Sequence, residues 1–125
     1  DASPGTSCAV VAAAKDTDFC LLVTEPTPFG LNDLTLAVEL AKKLGLPHGV
    51  VINRAGLGDH SIYGYCHEAD IPILMEIPFD TKYAACYARG GRLVEEFPDL
   101  SDRFLKLWDV IQHHAKRHQR EEPKT

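Results

Sequence analysis

The run Phe19-Cys20-Leu21-Leu22-Val23, followed by Thr24-Glu25-Pro26-Thr27-Pro28, decides the class of fold. Five consecutive apolar residues with neither a helical nor an alternating period suit a strand buried on both faces, the situation of a parallel sheet. The prolines then keep Thr24 to Pro28 out of any helix interior. Each fixes its own φ and pushes the preceding residue toward extended backbone. The chain therefore leaves the strand through a loop at its C-terminal end, the side on which open α/β sheets bind ligands.

The same grammar repeats downstream. Leu34, Ala37, Val38, Ala41 and Leu44 recur at helical spacing, predicting a helix from about Leu31 to Leu44 capped by Asn32 or Asp33 and ended by Gly45 and Pro47. Gly49-Val50-Val51-Ile52-Asn53 is a second buried strand, rich in β-branched residues. Arg54 to His60 reads as a loop and Ser61 to Ala69 as a short helix. A third strand lies within Ile71 to Phe79, with Pro72 and Pro78 near its ends, where a missing N–H does least harm. Asp80 caps a helix from about Thr81 to Arg89 that Gly90-Gly91 stops. Leu100, Phe104, Leu107, Trp108, Ile111 and Ala115 form a long apolar stripe, read as core rather than as a membrane anchor; only an exposed stripe, edged by Lys116 and Arg117, would favour an anchor. Cys8 to Ala14 predicts one more short helix, and residues 119–125 a charged, frayed tail. Strands alternating with helices imply right-handed crossovers and a parallel α/β/α three-layer sandwich over residues 1–118.

Composition bounds the function. A length of 125 residues suits one domain, and a net charge of -5 argues against a nucleic-acid partner held by overall basicity. The four cysteines Cys8, Cys20, Cys66 and Cys86 form no Cys-x-x-Cys, so neither a zinc knuckle nor an iron–sulfur run is visible. Scattered thiols in apolar surroundings, with no signal peptide and no bilayer-length apolar run, imply a reducing, cytoplasmic setting. The chain has no initiator Met and reads as a piece of a longer protein.

Three loops follow the C-terminal ends of strands and should gather on one edge: Asp1 with Gly5-Thr6-Ser7, then Asn53-Arg54, then Pro78-Phe79-Asp80. The first joins a carboxylate able to hold Mg²⁺ to a Pro-Gly pair and two hydroxyls ahead of an apolar segment, which suits phosphate at a helix N-terminus. The same residues also make an ordinary turn with an N-cap. Asn53 offers one donor and one acceptor, matching the N6 and N7 positions of adenine, and no carboxylate follows until Asp59, which disfavours guanine. It also suits a plain turn at a strand end. Arg54 is able to stack on a base or to pair with a carboxylate. Cys8 suits either a redox-sensitive thiol or a packed small side chain.

Taken together, Asp1 to Cys8, Leu22 to Gly30, Val51 to Arg54 and Ile77 to Asp80 resemble the C-terminal half of a MinD/ParA-type ATPase. The resemblance runs over about residues 1–95. The nearest variety is the CobQ/CobB/MinD/ParA nucleotide-binding domain, cobyrinic acid a,c-diamide synthase-like, of the group with an inserted ferredoxin domain. The resemblance implies a partial P-loop NTPase (SIMIBI/MinD-like) fold lacking the P-loop strand and helix. It implies a full-length parent that binds and hydrolyses ATP with Mg²⁺, dimerises around the nucleotide, and serves an iron–sulfur or metal-cofactor client. Asp1 would be the catalytic acid holding Mg²⁺ through water. Gly5, Thr6 and Ser7 would sense the γ-phosphate, and Asn53, Arg54, Pro78, Phe79 and Asp80 would line the adenine. An iron–sulfur cluster would belong to the inserted domain. Two features depart from the pattern. Ser3 stands where the family more often has proline, which loosens the switch. No G-x-x-x-x-G-K-[ST] occurs in the chain, so the chain alone should neither hydrolyse ATP nor bind it tightly. Other readings of the same residues are a non-catalytic flavodoxin-like binding module and an ATP-dependent amidotransferase or ligase.

Overall fold

Val50, Val51 and Ile52 are almost completely withdrawn from solvent although their side chains alternate in direction. A strand buried on both faces must lie inside a sheet covered by helices on both sides, and the computed structural model, which describes residues 19–121, has that arrangement. The strands are β1 (Cys20–Thr24), β2 (His48–Ala55) and β3 (Ile73–Pro78), in the order β1-β2-β3 and parallel throughout. Among the described residues there are five helices: α1 (Pro28–Lys43), α2 (Ser61–Glu68), α3 (Thr81–Ala88), α4 (Leu93–Glu96) and α5 (Pro98–Glu121).

On one face, Val50 and Ile52 pack with Leu34 and Val38 of α1 and Ile62 and Cys66 of α2. Both crossover helices lie on this face, as right-handed connections between strands laid down in one direction require. On the other face, Val51 and Met75 pack with Leu100 and Leu107 of α5, with Tyr83, Leu93 and Phe97 at the margin. Each fully buried Ile or Leu contributes about 1.5–3 kcal/mol of hydrophobic stabilisation. These two clusters therefore dominate what holds the domain together.

Several boundaries differ from the sequence expectation, each for a local reason. Helix α1 begins at Pro28, not Leu31, and its cap is Thr27, whose hydroxyl accepts the Gly30 N–H at 3.0 Å, rather than Asn32 or Asp33. Proline suits the first helical position because that N–H would have no intrahelical partner. At the other end Gly45, at φ 67, turns the chain so that the Leu46 N–H bonds the Ala41 carbonyl at 3.0 Å. Strand β2 continues through Arg54 to Ala55 instead of ending at Asn53. The four-residue α4 was not anticipated, and α5 runs on through residues 119–121, which charge had assigned to the tail. Trp108 is 58% exposed, so this member of the α5 stripe is not core among the described residues. The helix expected over Cys8 to Ala14 lies outside the described residues. No helix among those described is long and apolar enough to cross a membrane.

Candidate functional site at the C-terminal edge of the sheet

Because the strands are parallel, the loops after β1, β2 and β3 all emerge on one edge. Backbone contacts hold that edge. Thr24, the buried polar residue that ends β1, donates its hydroxyl to the Gly30 carbonyl at 3.1 Å, tying the strand end to the first turn of α1. A Cβ on Gly30 would stand 2.1 Å from the Glu25 carbonyl oxygen, so only glycine permits this approach. Gly58, at φ +83, brings the loop after β2 against the loop after β1, where a Cβ would meet the Pro26 carbonyl oxygen at 1.9 Å.

The end of β2 is irregular at the residues singled out from the sequence. Asn53 pairs with Ile77 and Ala55 with Pro78, which leaves Arg54 as the extra residue of a bulge. Arg54 takes φ 55, a left-handed conformation that non-glycine residues seldom adopt. Three contacts define it. The Asn53 side-chain oxygen accepts the Arg54 N–H at 3.0 Å, the Arg54 carbonyl accepts the Leu57 N–H at 3.3 Å, and the guanidinium stands 5.4 Å from the centroid of the Phe79 ring. The Phe79 N–H bonds the Ala55 carbonyl at 3.0 Å, fastening the loop after β3 to the end of β2.

Asn53, Arg54, Pro78, Phe79 and Asp80 are therefore brought together. Pro78 closes β3, Phe79 lies 43% exposed beneath Arg54, and Asp80 caps α3 by accepting the Lys82 N–H at 2.8 Å. Chemically, the cluster presents a cation over an aromatic ring beside a side-chain amide, with the Asp80 carboxylate engaged next along the chain at the start of α3. It suits a flat, hydrogen-bonding, anionic molecule. Asp1, Gly5, Thr6 and Ser7, with Cys8, lie outside the described residues, so their meeting with this cluster is not described. Sequence reasoning missed the bulge, the Arg54–Phe79 stack and the Gly58–Pro26 contact. Only the glycines at Gly56 and Gly58 hinted at backbone crowding after β2.

Other titratable groups serve packing. The Tyr63 hydroxyl donates to the Glu76 carboxylate, which pushes the phenol up to about 12, while the Arg103 guanidinium donates to the Glu76 backbone carbonyl. The Cys86 thiol donates to Glu96 Oε2 at 2.8 Å and is raised by that bond, and Arg89 pairs with the same carboxylate. Burial raises the Cys66 thiol. Among the described residues, no group of three or more His, Cys, Asp or Glu side chains is placed to hold a metal ion.

No family model matches the chain. It is 39% identical over 90 residues to the uncharacterized protein MJ0579 of Methanocaldococcus jannaschii, an alignment taking in 72% of this chain and 30% of that protein. It is 23% identical over 111 residues to the uncharacterized protein MJ0578 of the same organism, taking in 89% of this chain and 38% of that protein. The chain thus spans about a third of the length of the curated relatives it matches.

Proposed function

We propose that this chain supplies the purine-side half of a nucleotide site in a MinD/ParA-type ATPase, and that ATP with Mg²⁺ binds the full-length protein at the C-terminal edge of the sheet. The observation that carries the reading is the bulge at Arg54, which sets a guanidinium over Phe79 beside Asn53 and Asp80, two loops that the sequence alone had nominated together. In this reading Asn53 takes the adenine edge. Its oxygen already accepts one N–H from Arg54 and has a second lone pair for the exocyclic amine, and its amide nitrogen donates to the ring nitrogen. Arg54 and Phe79 supply a stacking surface. Asp1 holds Mg²⁺ through water, and Gly5, Thr6 and Ser7 form the segment that orders on the γ-phosphate and relaxes after hydrolysis. The phosphate-cradling loop and its lysine belong to another part of the full-length polypeptide. ATP-dependent dimerisation and an iron–sulfur or metal-cofactor client in the cytoplasm belong to the same proposal.

The test is nucleotide binding by the full-length protein. ATP should bind in preference to GTP, and Asn53→Ala should weaken ATP by roughly 1–3 kcal/mol and erase the preference. Equal affinity for ATP and GTP before substitution would remove the assignment of Asn53.

A further inference from the structure

A regular β2 would send successive side chains to opposite faces of the sheet. The extra residue at Arg54, held at φ 55, breaks that alternation and lays its guanidinium across the exit of the neighbouring strand, 5.4 Å from the centroid of the Phe79 ring. Main chain pins both ends of this contact. Asn53 Oδ1 accepts the Arg54 N–H at 3.0 Å, the Arg54 carbonyl accepts the Leu57 N–H at 3.3 Å, and the Ala55 carbonyl accepts the Phe79 N–H at 3.0 Å. A strained non-glycine residue persists where its surroundings over-determine it, and these bonds do so at Arg54.

The side chain of Arg54 is not pinned. It is exposed, and among the described residues no carboxylate or carbonyl pairs with its guanidinium, whereas Arg89 and Arg92 each hold a carboxylate and Arg103 a backbone carbonyl. Its partner is the face of a ring that is itself 43% exposed. The spacing decides what this pair can do. Groups in contact lie about 3.5–4 Å apart, so a flat heteroaromatic ring between guanidinium and Phe79 needs a separation of about 7–8 Å. At 5.4 Å the two groups stand within cation–π range of each other, and no ring fits between them. Widening the gap by main-chain movement would break the bond from Phe79 to Ala55. Rotation about the side-chain bonds of Arg54 breaks none of the bonds that hold the edge.

We propose that Arg54 and Phe79 form a clasp, shut in the absence of ligand, which opens by rotation of the arginine side chain to take a purine base between guanidinium and ring. The clasp rests on the nucleotide reading of this edge and adds how the base enters and what the pair selects. The shut contact competes with every ligand and lowers affinity by about 2- to 5-fold. A planar base offsets that by stacking on both partners, whereas a phosphate chain has nothing to place between them. The clasp therefore selects for a heteroaromatic ring, and Asn53 then reads its edge.

Nuclear Overhauser contacts between the Arg54 δ-methylene and the Phe79 ring test it in the full-length protein, measured without ligand, with magnesium tripolyphosphate and with magnesium ATP. The Arg54–Phe79 cross-peak should be present without ligand and remain with tripolyphosphate. With ATP it should give way to cross-peaks from the adenine ring protons to both residues. Arg54→Ala should weaken ATP by about 10-fold and tripolyphosphate by less than about 2-fold, because the arginine acts on the base. A protein saturated with ATP that keeps the Arg54–Phe79 cross-peak would overturn the clasp and leave the nucleotide site in place. Equal losses of affinity for ATP and tripolyphosphate would also overturn it, making Arg54 a phosphate ligand. A cross-peak missing without ligand would remove the shut state. Failure of the full-length protein to bind ATP at all would end the clasp and the nucleotide reading together.

Discussion

Arg54 allows the site to be separated from the fold by one substitution. The residue sits at φ 55 in a bulge, and the left-handed conformation costs a non-glycine residue about 1 kcal/mol. Its side chain contributes the contact with the Phe79 ring, worth about 0.5–1 kcal/mol where exposed. The remaining contacts, Asn53 Oδ1 on the Arg54 N–H and the Leu57 N–H on the Arg54 carbonyl, use backbone that every residue but proline retains. Arg54→Ala keeps the strain and loses the stack, so it should lower stability by about 0.5–1 kcal/mol. Arg54→Gly also loses the stack but relieves the strain, against about 0.5–1 kcal/mol for the added freedom of glycine in the unfolded chain. Its stability should fall within about 0.5 kcal/mol of the parent chain and above that of the alanine variant. Urea unfolding followed by far-UV circular dichroism measures both, and a double-mutant cycle with Phe79→Ala should return a coupling of about 0.5–1 kcal/mol. In the full-length protein the glycine variant should nevertheless bind ATP less tightly. A glycine variant destabilised by more than about 2 kcal/mol would refute the reasoning, because the arginine side chain would then be holding the bulge rather than being presented by it.

Gly58→Ala forces a Cβ to 1.9 Å from the Pro26 carbonyl at φ +83 and should cost about 2–3 kcal/mol, whereas Gly64→Ala, in α2 with nothing within 4 Å, should stabilise by about 0.5–1 kcal/mol; thermal unfolding of the two variants should move in opposite directions. Tyr63 is held protonated to about pH 12 by Glu76, above its ordinary value of 10, so its contribution to stability is complete below pH 10 and fades as the pH rises toward 12. Tyr63→Phe should remove that alkaline limb from a stability–pH curve and delete the latest tyrosinate in a spectrophotometric titration. A wild-type curve flat over that range would contradict the assignment. Ile52→Ala, at a fully buried position between α1 and α2, should lower stability by about 2–5 kcal/mol without changing the order of nucleotide preference in the full-length protein.

The elements legible in the sequence are those whose signal is carried by many residues at once. The runs at Phe19 and Val50 have no other sensible placement than a sheet covered on both faces, and the Leu34–Val38–Ala41 stripe could only be a helix laid on it. What escaped depends on one residue or on the neighbourhood. Thr27 rather than Asn32 caps α1 because Pro28 is acceptable at the first helical position, and both threonine and asparagine are good caps. Leu93–Glu96 is too short to show a period. Trp108 falls within the apolar stripe by spacing, yet it stands 58% exposed, because spacing marks a helix face and not what packs against it.

The bulge is the more instructive miss. An arginine in the left-handed region leaves no mark in a sequence, where glycine or asparagine would have, so β2 was ended at Asn53, two residues short of its observed end. Asn53, Arg54 and Phe79, singled out from the sequence for their place at strand ends and not for backbone shape, nonetheless meet at this bulge. The backbone explains why those side chains meet. Gly30 and Gly58 let the loops after β1 and β2 pack main chain against main chain, and Phe79 is hydrogen-bonded to Ala55. The edge is therefore stiffened by atoms that substitutions of side chains leave in place. Asn53, Arg54, Phe79 and Asp80 stand on that frame, and under the proposed function a nucleotide that fits them would lose little free energy to ordering the loops.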